Sequence, residues 1–371
     1  MIKKIFLYFK NLDWSLFLSI FLLSCFGLIE IYSIALGKDM SNLINFRKQI
    51  FFIIIGLSIF FIFIFIDYRF LRDFSYYFYI FGILLLISVL ILGITVKGTT
   101  GWFEFKFFSI QPVEFVKIIT ILFLTRFFAM QKKEFRSLKQ LIISGLGVFL
   151  LFILVILQPD FGSAMILLSI WLSTIFFVGF NKKYFFILGI IFIFGTGLVW
   201  NFYFKDYQKE RIKTFLNPEI SSLDQGYNVS QAIIAVGSGG VMGRGVGFGS
   251  QSQLKFLPEA QNDFIFAVIS EELGFIGVFL VLSFFAVFFY RCLINLKNFK
   301  DDFAIFFVLG VVGLIFIQMF INISMNIGIF PVVGIPLPFI SYGGSALISN
   351  FILMGIVENI IIQSKINYLN K

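Results

Sequence analysis

Ten apolar stretches dominate the chain: Trp14–Leu36, Gln49–Ile66, Phe74–Thr95, Val113–Ala129, Leu141–Leu157, Phe161–Phe180, Tyr184–Phe204, Asp263–Tyr290, Phe303–Met325 and Ser345–Ile362. A helix needs about 20 mostly apolar residues to cross a bilayer. Ten such runs leave little of a 371-residue chain for a soluble domain. Only 13% of the residues are charged, against about 25% in a soluble protein. Inside a bilayer every backbone polar group must bond within the protein, and a helix does this within one segment. The expected class is an all-α polytopic membrane protein of about ten transmembrane helices, read as one integral membrane domain over residues 1–371.

Charge sets the expected orientation. With the N-terminus inside, the inner segments hold seventeen Lys and Arg residues, from Lys3 to Lys371. The short outer loops hold Lys38, Arg47, Lys48, Lys97 and Lys106. This asymmetry places both termini in the cytoplasm. It also accounts for the formal net charge of +9 without nucleic acid, for which there is no motif. One outer loop, about residues 205–262 between the seventh and eighth spans, is long enough to escape the charge rule. It contains Gly237-Ser-Gly-Gly-Val-Met-Gly-Arg-Gly-Val-Gly-Phe-Gly249, with seven glycines in thirteen residues. Such a stretch reads as a lid, as a backbone cradle for a phosphate group, or as a plain connector.

The chain has no histidine, which excludes a Ser-His-Asp triad, a histidine base and any histidine-ligated metal. Cys25 and Cys292 have no metal-ligand spacing. No cofactor motif is evident, and a divalent cation is left unassigned. Acid–base work therefore falls to carboxylates, Lys or Tyr.

Ionisable groups within or at the mouth of a span are functional candidates. Asp263 stands where the long loop enters the eighth span, as a helix cap or as a reactive carboxylate. Glu271 and Glu272 follow about 12–14 Å deeper at 1.5 Å per residue. Gln111-Pro-Val-Glu114 opens the fourth span, and Glu114 and Lys117 share a helix face at i,i+3, either as a structural pair or as a polar substrate contact. Gln158-Pro-Asp160 lies at an outer turn. Pro331-Val-Val-Gly-Ile-Pro-Leu-Pro338, followed by Ser341-Tyr-Gly-Gly-Ser345, is a re-entrant segment expected to wall a site, because non-helical backbone at membrane depth survives only when buried or lining a cavity.

Together with Gly226-Tyr-Asn-Val-Ser-Gln231, Phe256-Leu-Pro-Glu-Ala260 and Glu271-Glu-Leu-Gly274, these motifs resemble the SEDS family (shape, elongation, division and sporulation), which includes RodA and FtsW. The resemblance spans nearly the whole chain, and the short N-terminal tail is more similar to RodA. It departs at Gln261 and Asn262, where His and Thr are frequent, at Val113 in place of Ser, and at Gly101 in place of Arg. The resemblance implies a peptidoglycan glycosyltransferase that polymerises lipid II on the outer face of the bacterial cytoplasmic membrane, in cell elongation and shape, with a class B penicillin-binding protein as partner. Asp263 aligns with the family's essential aspartate and is the expected general base. Gln111, Glu114, Lys117, Asp160, Arg211, Gln231, Arg244 and Ser341 are the expected substrate contacts, with Lys117, Arg211 and Arg244 as cations for the pyrophosphate. An FtsW-like division polymerase, a lipid II flippase and a non-catalytic scaffold are the competing readings.

Overall fold

The computed structural model describes residues 2–36, 43–96, 98–105, 108–131, 137–190, 225–254 and 256–369. Its helices are α1 (Ile2–Asn11), α2 (Trp14–Leu36), α3 (Leu43–Phe65), α4 (Tyr68–Asp73), α5 (Ser75–Leu92), α6 (Pro112–Ala129), α7 (Leu138–Ile156) and α8 (Phe161–Val178). After the long loop come α9 (Gln225–Ser238), α10 (Ser250–Gln253), α11 (Ile265–Asn295), α12 (Asp302–Asn326) and α13 (Gly344–Leu369). Eight helices among the described residues, α2, α3, α5, α7, α8, α11, α12 and α13, are long and apolar enough to cross a membrane. The fourth predicted span forms α6, but Glu114, Lys117 and Arg126 in 18 residues make it too polar to count by composition. The seventh is helical as far as residue 190, and the remainder of it lies outside the described residues. The protein is a multi-pass membrane protein with a mostly helical fold.

Burial explains how α6 tolerates its charges. It packs against α5, α8, α12 and α13, and nearly every side chain from Pro112 to Thr125 is buried. Pro112 occupies the first turn, where its missing N–H costs nothing, and Glu114 in that turn favours the positive end of the helix dipole. Around this centre α2 packs on α11, α3 on α13, α7 on α8, and α12 on α8.

The loop between α5 and α6 adds a feature that the all-α expectation did not include. It folds as a three-stranded antiparallel sheet, β1 (Ile94–Val96), β2 (Thr99–Glu104) and β3 (Ser109–Ile110), in the order β1-β2-β3. Ile94 pairs with Trp102, and Phe103 with Ile110. Strands this short carry no span-length periodicity, so the hydropathy of the flanking helices hides them.

The long loop returns to the bundle through its glycines. α11 is interrupted at Gly274 (φ 65°, ψ −160°), a backbone conformation open essentially to glycine alone. The break frees four backbone groups, and the glycine-rich segment pairs all of them. Arg244 N–H and Gly245 N–H donate to the carbonyls of Glu271 and Glu272 at 3.0 and 2.9 Å. Phe275 N–H and Ile276 N–H donate to the carbonyls of Gly240 and Val241 at 2.9 and 3.2 Å. A β-carbon at Gly239 or Gly243 would collide with the carbonyls of Ser270 or Glu272. Close backbone approach to α11 is thus what requires glycine at these two positions.

Candidate functional site

A cavity of about 790 Å³ opens at the end of the bundle where α6, α8 and α11 begin. Its wall is built from the small sheet (Val96, Thr99, Trp102, Ser109), the start of α6 (Gln111, Glu114), the α7–α8 turn (Pro159, Asp160), the turn before α11 (Glu259, Asn262, Asp263) and the proline-rich segment (Pro331 to Pro336). The expectation that this last segment walls a site agrees with the geometry. Its backbone is non-helical, and Ile335, Leu337, Phe339 and Ile340 are buried within the protein.

Asp263 lies in the non-helical turn leading into α11 and is half-buried. A β-carbon at Gly334 (φ 71°) would stand 3.7 Å from Asp263 Oδ2, so the carboxylate faces the proline-rich segment across the site. Glu259, four residues earlier, takes a left-handed φ of 54°, a strained conformation of the kind that concentrates at functional sites.

Gln111 and Asp160, each expected as a substrate contact, come together: Gln111 Nε2 donates to Asp160 Oδ2 at 3.1 Å, and Asp160 Oδ1 caps α8 by accepting from Ser163 N–H at 2.9 Å. Glu114 and Lys117 form a buried pair at 2.7 Å. Glu114 lines the cavity, whereas Lys117, 3% exposed, lies behind it. Ser341, expected as a substrate contact, instead ties backbone together: its Oγ donates to the Asn262 carbonyl at 2.6 Å and accepts from Leu337 N–H at 2.8 Å. Arg244 lies on the glycine-rich segment and donates from Nη1 to Ser250 Oγ at 2.6 Å, outside the cavity wall. Gln231, on α9, is also outside that wall. Arg211 falls outside the described residues.

The cavity also recruits groups that the sequence reading did not select. Lys48, from the first turns of α3, is the basic residue among the described lining residues. Its signal in the sequence is the basic pair Arg47-Lys48 at the mouth of a span, a pair that membrane topology alone already accounts for. Gly101, standing where the family often has arginine, is buried in β2 beside Gln158. Tyr342 lines the wall, and burial pushes its phenol above the usual tyrosine range, so at neutral pH it is a neutral hydrogen-bonding group. Among the described residues no cluster of three or more Cys, Asp or Glu is arranged to hold a metal ion.

A family model described as cell cycle protein, that of FtsW, RodA and SpoVE, matches residues 13–366. The chain belongs to that family. It is 37% identical over 349 residues to stage V sporulation protein E of Bacillus subtilis (strain 168), covering 91% of this chain and 94% of the relative. It is 35% identical over 358 residues to the peptidoglycan glycosyltransferase MrdB of Escherichia coli (strain K12), covering 96% and 95%. Among solved structures, a chain from a peptidoglycan synthase complex studied for the coordination of polymerization and crosslinking superposes with a TM-score of 0.81. That likeness covers 95% of this chain and 98% of the other at 24% identity, and it places this family member in the same fold.

Proposed function

We propose that this chain is a peptidoglycan glycosyltransferase that polymerises lipid II, with Asp263 as the general base. The observation that carries the reading is a half-buried carboxylate and a lysine, Asp263 and Lys48, in the wall of one cavity large enough for a sugar pyrophosphate. Glycan extension from a lipid-linked pyrophosphate donor has two electrostatic demands. A proton must leave the acceptor hydroxyl, and negative charge must be met on the departing pyrophosphate. In this mechanism Asp263 takes the proton from the GlcNAc 4-hydroxyl as that oxygen bonds to the donor's anomeric carbon. The anomeric C–O bond breaks with its electron pair going to the pyrophosphate, and inversion gives a β-1,4 link.

Neutral Tyr342 is available to orient a hydroxyl, and the Gln111–Asp160 pair to accept from the sugars. Of the basic side chains expected at the pyrophosphate, Lys117 is already committed to Glu114, Arg244 is outside the cavity wall and Arg211 falls outside the described residues; Lys48, which was not among them, is the cation that lines the cavity among the described residues. The positive-inside asymmetry of the loops supports a cavity on the outer face of the bacterial cytoplasmic membrane. Membership in this family and the likeness to a peptidoglycan synthase complex support a class B penicillin-binding protein as partner.

The test is polymerisation of purified lipid II by the chain with its transpeptidase, comparing wild type with Asp263→Asn at matched folding and complex yield. Polymer from the first and none from the second is the expected result. Polymer from both would remove Asp263 as the base. Bound but unpolymerised lipid II with both would move the assignment to a carrier or scaffold.

A further inference from the structure

The backbone of Asp263 is held by two buried asparagines on α12. In an unbroken helix the Asp263 carbonyl would accept from the Ala267 N–H. Here it accepts from Asn326 Nδ2 at 2.9 Å and from Asn322 Nδ2 at 3.0 Å. The Ala267 N–H donates to Asn326 Oδ1 at 3.0 Å, sharing its hydrogen with the Phe264 carbonyl. The Asn326 carboxamide is therefore inserted between two groups that would otherwise close the first turn of α11, and it wedges that turn open at the residue whose side chain enters the cavity. Asn322 Nδ2 reaches on to the Ile335 carbonyl at 2.8 Å, joining the same turn to the segment that carries Gly334. Both asparagines are 0% exposed. An amide buried in an apolar helix is costly unless bonded, so two of them one turn apart, directed at one carbonyl, mark a constrained point.

We infer that Asn322 and Asn326 are positioning residues that set the Asp263 carboxylate in the cavity without touching the reacting atoms. The inference rests on Asp263 acting as the base. Its control is Asn359, also 0% exposed, which makes the same insertion elsewhere in the bundle: Nδ2 donates to the Ile64 carbonyl at 2.6 Å, and Oδ1 accepts from Tyr68 N–H at 3.0 Å. Asn359 lies outside the cavity wall, so it shares the structural task and not the site.

The experiment measures initial polymerisation rates against lipid II concentration for the chain with its transpeptidase, together with Tm in detergent. The proteins are wild type, Asn322→Ala, Asn326→Ala, Asn359→Ala and Asp263→Asn. A misplaced reacting group costs about 10²-fold, so Asn326→Ala should lose about that factor in kcat with KM held within about twofold. Asn322→Ala should lose kcat in the same way, and Asn359→Ala should keep kcat at a comparable loss of Tm. Equal kcat losses at Asn326 and Asn359, or wild-type kcat in Asn326→Ala, would overturn the inference. If the alanine variants do not fold, Asn326→Asp and Asn359→Asp, which retain the acceptor and lose the donor, are read by the same criteria. Wild-type kcat in Asp263→Asn would instead overturn the base assignment, a result separate from any effect at Asn326.

Discussion

At the scale of single residues, two lysines near the cavity have opposite expected behaviour. Lys117 and Glu114 are side-chain exposed by only 4% and 5%, so removing one strands the charge of the other. Breaking a buried pair costs about 3–5 kcal/mol, whereas replacing both partners is often nearly neutral. Lys117→Met should therefore lower Tm and folded yield sharply, and Lys117→Met with Glu114→Gln should recover most of that loss. Thermal unfolding in detergent, followed by fluorescence or by size-exclusion chromatography, checks both. Lys48→Gln should leave Tm unchanged. If Lys48 meets the pyrophosphate, its loss removes a charge-assisted hydrogen bond worth about 1.5–3 kcal/mol, or about 10- to 100-fold in kcat/KM for lipid II. Initial-rate kinetics of the two single variants separate a lysine that holds the fold from one that meets substrate. Asp263, Glu114, Gln111 and Asp160 were legible in the sequence because a charged or polar side chain at the mouth of an apolar run is conspicuous. Asn322 and Asn326 were not, because uncharged amides within the ninth run or just past its end barely alter its hydropathy. Lys48 was hidden for another reason: a basic residue in a short loop is already explained by membrane topology.

At the scale of elements, most helices could be read from the sequence because burial in lipid requires long apolar runs. The departures lie where backbone groups bond outside their own helix. The interruption of α11 at Gly274 leaves no trace in hydropathy, since Leu273-Gly-Phe-Ile276 reads as continuous apolar helix. Its cause is distant in sequence: the carbonyls of Gly240 and Val241 and the N–H groups of Arg244 and Gly245 complete the break. Gly274→Ala would drive a β-carbon into the backbone nitrogen of Gly243 and force an L side chain into an essentially glycine-only conformation, a strain of about 1–3 kcal/mol before the collision is counted. A loss of folded protein, or a Tm lower by several degrees, is expected. Gly237 is the matched control. It lies in the last turn of α9, and a β-carbon there meets nothing within 4 Å. Gly237→Ala should be neutral or stabilising by about 0.5–1 kcal/mol, since glycine is a poor helix former. Parallel Tm measurements on the two variants distinguish close packing by the glycine-rich segment from simple chain flexibility.

At the scale of the whole molecule, the end of the bundle away from the cavity is held by ion pairs and hydrogen bonds. Arg291 in α11 grips Asp13 through Nε at 3.0 Å and Nη2 at 2.7 Å, and Asn295 adds Nδ2 to Oδ2 at 2.8 Å. Glu358 in α13 accepts from the Asp13 N–H at 3.2 Å. Arg72 joins Asp301 at 3.0 Å, tying α4 to the start of α12. Burial alone would raise the Asp13 pKa, but the hydrogen bonds from Arg291, Asn295 and Leu16 and the charge of Arg291 outweigh it, so the net shift is downward. A depressed folded-state pKa means that the unfolded chain binds the proton more readily. The stabilisation is then complete above the ordinary aspartate value of about 3.9 and is lost as pH falls through the lower folded value. Asp13→Asn cannot be deprotonated and lacks that contribution at every pH. The Tm gap between wild type and Asp13→Asn should therefore be widest near neutrality and should narrow as pH drops below about 4. A gap independent of pH would assign Asp13 a packing role in place of an electrostatic one. Because Asp13 is outside the cavity wall, the folded fraction of Asp13→Asn should polymerise lipid II at the wild-type kcat at neutral pH. Asp263→Asn should show the reverse in the assay, folded protein with polymerisation lost, so the two aspartates separate the fold's electrostatic lock from its chemistry.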